Sequence, residues 1–404
     1  EYDGDYTITQ TGSTTANTIT VMGGTHTITL NGVNIDVSGK HDGANAEKKN
    51  ACAFDIQGGD VTLTLEGENV LKSGFTYEDY VVKYDLLCAA GWVCAGLSVA
   101  ENASVTIKGN GSLDATAGGS DGLKIEGKSI NWANAGKAAG IGVSCRYSKY
   151  SLWEATAGDI TIDSGTVNAT GSSYSGGYGG PGIGGGSNVS NITISGGTVT
   201  AASGYQSSGC AAIGSAYGHS GKKHIVISGG TVKATGGSAG IGGGAYASAD
   251  VTITGGNVTA ISKGYGAGIG SGGGDYVSDG AKGGSITITD GTVTAQGGNY
   301  AAGIGGGGTT TNTVRGGCAS GNITITGGTV TATGGKNAPG IGSGSKSNDA
   351  ASNAGCGEME TITISGGTIT AVNGTGYSGT PYTLNDGTEA KSFGVGMGEN
   401  PSED

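Results

Sequence analysis

Tyrosine returns at one position of a unit that repeats along this chain. Counted from the residue that opens the second β-like segment of each unit, the eighth residue on is Tyr174, Tyr265 and Tyr300, and Tyr205 and Tyr377 fall one place off. Ala239 and Asn337 interrupt the series. A column of such rings offers flat π-faces to the apolar side of a sugar, with phenolic hydroxyls for hydrogen bonds. Equally, the rings can pack on one another and shield a corner. Two aromatic inserts, Phe75–Asp85 and Cys145–Glu154, stand outside the repeat. Arg146, Tyr147, Tyr150 and Trp153 suit a binding loop or a cap over the side of the fold, and Tyr77, Tyr80 and Trp92 pose the same choice. The five column tyrosines with Tyr147, Tyr150 and Trp153 are therefore the candidate carbohydrate contacts.

Catalytic groupings are not legible. A glycoside hydrolase needs two or three carboxylates facing one cleft, and a lyase needs acidic metal ligands with a Lys or Arg base. Asp250, Asp275, Asp279, Asp290, Asp349, Glu358 and Glu360 are scattered over different units and loops. His219 and His224 read as surface-loop residues, and no acidic pair accompanies Gly218-His219-Ser220. The glycine-rich stretches lack the GxxxxGK[ST] pattern that cradles phosphate. No catalytic residue is assigned.

Composition narrows the field. The 404 residues include 89 Gly but only 4 Pro, 3 Phe and 3 Trp, too few bulky groups for one large globular core. There is no Gly-X-Y period, so the glycine is not collagen-like, and returning Val, Ile and Thr argue against disorder. A net charge of −12 argues against nucleic acid or an anionic membrane as partner. No apolar run reaches the roughly 18 residues of a bilayer span, so membrane insertion is not expected. Seven Cys are present without CxxC spacing. Cys52 and Cys94 precede similar segments, and Cys318 and Cys356 each lie shortly before a first strand. They read either as two disulfides between neighbouring units or as buried free thiols.

The elements that must carry the tyrosines follow from the repeat. Ile192-Thr193-Ile194-Ser195-Gly196-Gly197-Thr198-Val199-Thr200-Ala201 has counterparts starting at Ile160, Ile225, Val251, Ile286, Ile323 and Ile362. A period of this length marks a solenoid. Alternation sends Ile192 and Ile194 inward with Thr193 outward, then Val199 and Ala201 inward with both Thr outward. Ser-Gly-Gly supplies a corner. Gly-Ile-Gly supplies a third strand, with Ile183, Ile213, Ile241, Ile269, Ile304 and Ile341 inward. The expected fold is all-β: a right-handed parallel β-helix with three short strands per coil. Stacking should give inward ladders at Ile162/Ile194/Ile227/Ile253/Ile288/Ile325/Ile364 and Val167/Val199/Val232/Val258/Val293/Val330/Ile369. Each buried Val or Ile stabilises by about 1.5–3 kcal/mol, so the ladders can hold the coils without aromatics. Spacing between first strands varies from 26 residues (Ile225 to Val251) to 39 (Ile323 to Ile362), and loops must absorb the difference. Residues 1–155 read as irregular coils with the aromatic inserts and 156–404 as regular ones, together one domain over 1–404. Thr27–Leu30, Val61–Leu65 and Val105–Ile107 take the first-strand place; Ala53–Ile56 and Gly96–Val99 take the third. Strands between Asp121 and Gly142 cannot all be placed. Thr-x-Thr pairs such as Thr198/Thr200, Thr292/Thr294, Thr329/Thr331 and Thr368/Thr370 form an outward array of the kind seen in ice-binding β-helices, and also one that β-propensity alone selects.

At Val61–Gly74, Ala95–Gly118 and the phrases typified by Ile192–Ala201 and Ala239–Gly244, the chain resembles the secreted β-helix carbohydrate-binding domains of clostridial and related Gram-positive bacteria. It also resembles the glycine-rich repeats of large cell-surface adhesins. The resemblance implies an extracellular or cell-surface, non-catalytic module, part of a larger surface protein, whose partner is a polysaccharide (cellulose, pectic or host glycan). It also implies Ca²⁺ held by loop acids, although those acids have no residue-by-residue match here. The competing expectations are a structural stalk within an adhesin and a polysaccharide lyase or hydrolase on the same scaffold.

Overall fold

The computed structural model describes residues 3–39, 51–76, 79–83, 86–119, 124–125, 128–129, 137–147, 152–153, 157–173, 179–185, 191–204, 209–216, 224–274, 283–309, 320–345, 360–375, 382–383, 389–390 and 394–396. The chain divides into two compact units, Glu1–Tyr205 and Gln206–Asp404. The described residues of both form strands, turns and loops, without a helix.

In the first unit, one sheet stacks Gly4–Thr9, Thr25–Asn31, Gly59–Glu66, Ala103–Gly109, Asp159–Ile162 and Ile192–Ile194 in that order. A second stacks Asn34–Asp36, Glu68–Lys72, Ser112–Thr116, Thr166–Thr170 and Thr198–Ala202, and a third Ile19–Val21, Phe54–Ile56, Leu97–Val99, Ile141–Gly142 and Ile183–Gly185. Every pairing in these sheets is parallel, and each coil contributes one strand to each sheet. The second unit repeats the scheme. Its first sheet runs from His224–Ile227 to Ile362–Ile364, its second from Thr231–Gly236 to Thr368–Val372, and its third from Ile213–Ser215 to Val395–Gly396. Each unit is a right-handed parallel β-helix.

The alternation that specifies these strands also specifies the core. Ile28, Leu63, Ile107, Ile162 and Ile194 are successive register partners, all buried. In the second unit Ile227, Ile253, Ile288, Ile325 and Ile364 form the matching ladder, and Val232, Val258, Val293, Val330 and Ile369 line the next wall. Only Ile364 and Ile369, in the last strands of their sheets, are half-buried. Inward polar residues break the apolar columns of the early coils: His26 is buried in register with Val61. Asn69, aligned with Leu113, is buried. It accepts from the Val33 amide at 3.0 Å and donates to the Glu66 and Ser112 carbonyls, each at 3.0 Å, so its burial is matched by hydrogen bonds.

The glycine after each third-strand isoleucine has a backbone reason. Gly214, Gly242, Gly270, Gly305 and Gly342 have φ between 130° and 144°, a region L side chains rarely adopt. A Cβ on Gly242 or Gly270 would also collide with the carbonyl oxygen of the equivalent glycine in the next coil.

The two aromatic inserts build one structure. Leu152–Trp153, Cys145–Tyr147, Leu86–Val93 and Asp79–Lys83 pair in that order as a four-stranded antiparallel sheet. Trp92 is half-buried against Ala51, Cys52 and Cys94. Within the stretch that resisted strand assignment, Lys124–Ile125 pairs with Lys128–Ser129, and Ile141–Gly142 joins the third sheet. The disulfide alternative does not hold for Cys52 and Cys94: both are buried thiols outside any disulfide. Phe54 stacks on Leu97, so the position above Cys52 is Ala95, one residue out of step with Cys94. The Cys52 thiol instead donates to the carbonyls of Phe54 (3.6 Å) and Ala95 (3.7 Å). Cys318 and Cys356 lie outside the described residues.

Gly270→Ala should lower unfolding stability by about 3 kcal/mol or more, from the φ penalty and the carbonyl collision together. Gly12→Ala, where nothing lies within 4 Å of the added Cβ, should stay within about 1 kcal/mol. Urea unfolding of the two variants beside the parent measures both.

Candidate functional site

In the second unit, the coils after Asn257–Ser262, Thr292–Gln296 and Thr329–Thr333 pass to their third strands by segments of equal length, because Ile261, Gln296 and Thr333 are register partners and so are Ile269, Ile304 and Ile341. Equal length places Tyr265, Tyr300 and Asn337 at one equivalent position. The rings of Tyr265 and Tyr300 are parallel, 5° between planes, with centroids 6.5 Å apart. Coils stack about 4.8 Å apart, so the longer centroid distance is that of an offset stack, the arrangement the ring quadrupoles favour. Both tyrosines are half-buried, leaving ring surface in solvent. Exposed Lys336, on the next coil, holds its Nζ 5.8 Å from the Tyr300 centroid, within cation–π range.

Backbone hydrogen bonds fix the corner. The Tyr265 carbonyl accepts from the Gly308 amide at 2.6 Å, and the Tyr300 carbonyl accepts from Ser345 N at 2.7 Å and Ser345 Oγ at 3.3 Å. Asn299 donates its amide to the Gly264 carbonyl at 2.7 Å. Gly308 and Ser345 lie just beyond Ile304–Gly305 and Ile341–Gly342, so each tyrosine is tied to the segment that leaves the third strand of the next coil. Glycine is required there for a steric reason. A Cβ on Gly273 would strike Tyr265, and one on Gly308 would strike Tyr300.

Tyr300 carries a cost. Its φ is 59°, and Asn337, one coil on, has φ 57°. Asparagine tolerates a positive φ; for a bulky side chain it is an outlier, strained by about 1–3 kcal/mol. Tyr246 has the same signature, φ 61°, and its ring lies where a Cβ on Gly274 would have to go. Sequence counting missed Tyr246 because it follows the third strand rather than the second. The Gly273-Gly274 pair opposite was the available signal.

Of the other candidate contacts, Tyr174, Tyr205, Tyr377 and Tyr150 lie outside the described residues. Tyr147 and Trp153 stand on the antiparallel sheet of the first unit, where Tyr147 pairs with Leu152 and Gly91. The same register sets Arg146 opposite both Trp92 and Trp153. His224, expected at the surface, is exposed with Nε2 3.8 Å from Asp250, and His219 lies outside the described residues. Among the described residues no group of three or more His, Cys, Asp or Glu could hold a metal ion. Asp250 and Asp290 stand at opposite ends of their first strands and Glu360 on another coil, so they do not fit a Ca²⁺ site. Asp275, Asp279, Asp349 and Glu358 lie outside the described residues. The threonine array is in register as well: Thr292, Thr329 and Thr368 form one outward column and Thr294, Thr331 and Thr370 the next. Asn257 and Lys233 interrupt it.

Six coils match a family model, the beta helix repeat. The matched residues are 160–187, 192–217, 225–245, 251–273, 286–308 and 323–345. The fourth and fifth of these segments contain Tyr265 and Tyr300. Comparison with curated proteins and with solved structures gave no match.

Tyr300→Asn places at this corner the residue that already occupies the equivalent turn one coil later. Thermal or urea unfolding should show stability unchanged or raised by up to about 1 kcal/mol, while the near-UV circular dichroism of the tyrosines weakens. A loss above about 2 kcal/mol would instead make the ring a structural shield of the corner.

Proposed function

We propose that this chain is a non-catalytic, polysaccharide-binding module of an extracellular or cell-surface protein, and that the Tyr265–Tyr300 stack is its sugar-contacting surface. The observation that carries this reading is the stacked Tyr300 ring on a backbone conformation that suits Gly or Asn better. Local strain retained at a half-buried aromatic position, as it also is at Tyr246, points to a role other than stability. Supporting it, both rings stand half in solvent, with Lys336 beside them. The core ladders account for the isoleucines, valines and turn glycines without any ligand, and they leave the corner tyrosines unexplained by packing alone.

Offset-parallel rings leave their edges and displaced parts uncovered, where the CH groups of a sugar can meet them, oriented by hydroxyl hydrogen bonds. The β-helix contributes rigidity: the backbone of each tyrosine is hydrogen-bonded to the next coil, so little conformational entropy is lost when a ligand docks. The same scaffold is compatible with an adhesin stalk or with a lyase or hydrolase, and the experiment separates all three.

Binding to insoluble polysaccharides and a glycan array should show retention of the parent chain on at least one polymer. Tyr265→Ala combined with Tyr300→Asn should weaken that binding about ten-fold or more. No retention on any polymer would favour the stalk. Release of reducing ends or unsaturated products would make the chain an enzyme.

A further inference from the structure

Among the described residues of the second unit, charge is sorted by sheet. Among its described residues whose side chains are placed, the lysines are Lys233, Lys263 and Lys336, and the carboxylates are Asp250, Asp290 and Glu360. All three carboxylates belong to the first-sheet side. Asp250 opens a first strand, Asp290 holds the turn after one through the Gly291 amide at 2.7 Å, and Glu360 immediately precedes Thr361 and another. All three lysines lie on the second sheet or the corner beyond it. Lys233 points outward from the second strand Thr231–Gly236. Lys263 directly follows the strand Asn257–Ser262, two residues before Tyr265, and Lys336 stands over the Tyr300 ring. The three lysines are exposed. No ion pair with a described carboxylate engages Lys263 or Lys336. The first unit differs: its second sheet mixes Asp36, Glu68 and Asp114 with Lys72, which pairs with Asp36 at 3.8 Å.

We infer that the tyrosine corner takes an anionic polysaccharide, one bearing carboxylate or sulfate groups, with Lys336 and Lys263 as its counter-charges; this rests on the polysaccharide-binding reading above. The two lysines flank the stack from either end, one on the coil of Tyr265 and one on the coil after Tyr300. Two coil spacings, about 9.6 Å, separate them along the axis. A polymer running along the stack meets the Lys336 ammonium at the Tyr300 end and, at the other, the coil that carries exposed Lys263 two residues before Tyr265. The overall charge of −12 does not oppose this, because near physiological ionic strength charges more than about 8 Å away are largely screened. What decides is the local sign.

The test compares a polyuronate, the same polymer with its carboxylates methyl-esterified, and a sulfated polysaccharide, each against the full chain by affinity electrophoresis or calorimetry. The polyuronate should bind more tightly than its ester, and added salt should narrow the gap. Lys336→Gln should weaken polyuronate binding about two- to five-fold and ester binding clearly less, and Lys336→Arg should restore the difference. Tighter binding of the sulfated polymer, lost in Lys336→Gln, would support the inference with sulfate as the group. Equal binding of polyuronate and ester, or an equal effect of Lys336→Gln on both, would overturn it while the tyrosine reading stood. If Tyr265→Ala with Tyr300→Asn changed no affinity, the tyrosine reading itself would fall.

Discussion

Everything in these two units depends on the close parallel approach of one coil to the next. At about 4.8 Å between strands, whatever side chain a coil presents must lie on the same position of its neighbour. Isoleucine on isoleucine and valine on valine satisfy this inside. Where backbones come closer still, only glycine fits, as at Gly242, Gly270 and Gly305, whose carbonyls occupy the space a Cβ would need. The same rule acts on the surface. A tyrosine on one coil meets whatever stands at the equivalent place on the next, so Tyr265 and Tyr300 stack because the segments leading to them have equal length.

What the coil geometry allows and what stability prefers diverge at that corner. Asn337 shows the turn with a residue that suits a positive φ; Tyr300 shows it with one that does not. The glycine run after each third strand lets the corner backbone pack close, since a Cβ on Gly273 or Gly308 would strike the main chain at Tyr265 or at Asn299 and Tyr300. Stability thus comes from columns that are uniform and buried. The recognition proposed above falls at the departures from uniformity, outside the core ladders.

The core was legible because period-2 alternation and a recurring phrase report directly on which side chains face inward. Ile227, Ile253 and Ile288 needed no information beyond spacing. The corner tyrosines were legible by the same counting, but their ring geometry was not, because φ at Tyr300 is set by the turn and not by residue type. Long-range antiparallel pairing left no periodic trace, so the union of the inserts at Leu86–Val93 and Cys145–Tyr147 in one sheet went unseen. The choice between a disulfide and buried thiols at Cys52 and Cys94 turned on a single step of register that spacing alone does not give: Cys52 stands under Ala95, one residue away from Cys94. Tyr246 escaped because its place follows a different strand.

The most direct measurement of the central claim is saturation-transfer NMR on the chain mixed with a polysaccharide fragment that it retains. Irradiating the tyrosine ring protons should carry saturation to protons on the apolar face of the sugar, and the transfer should vanish when Tyr265→Ala and Tyr300→Asn are combined. Transfer that survives in that variant, or that arises instead from the threonine methyls of the second sheet, would contradict the account.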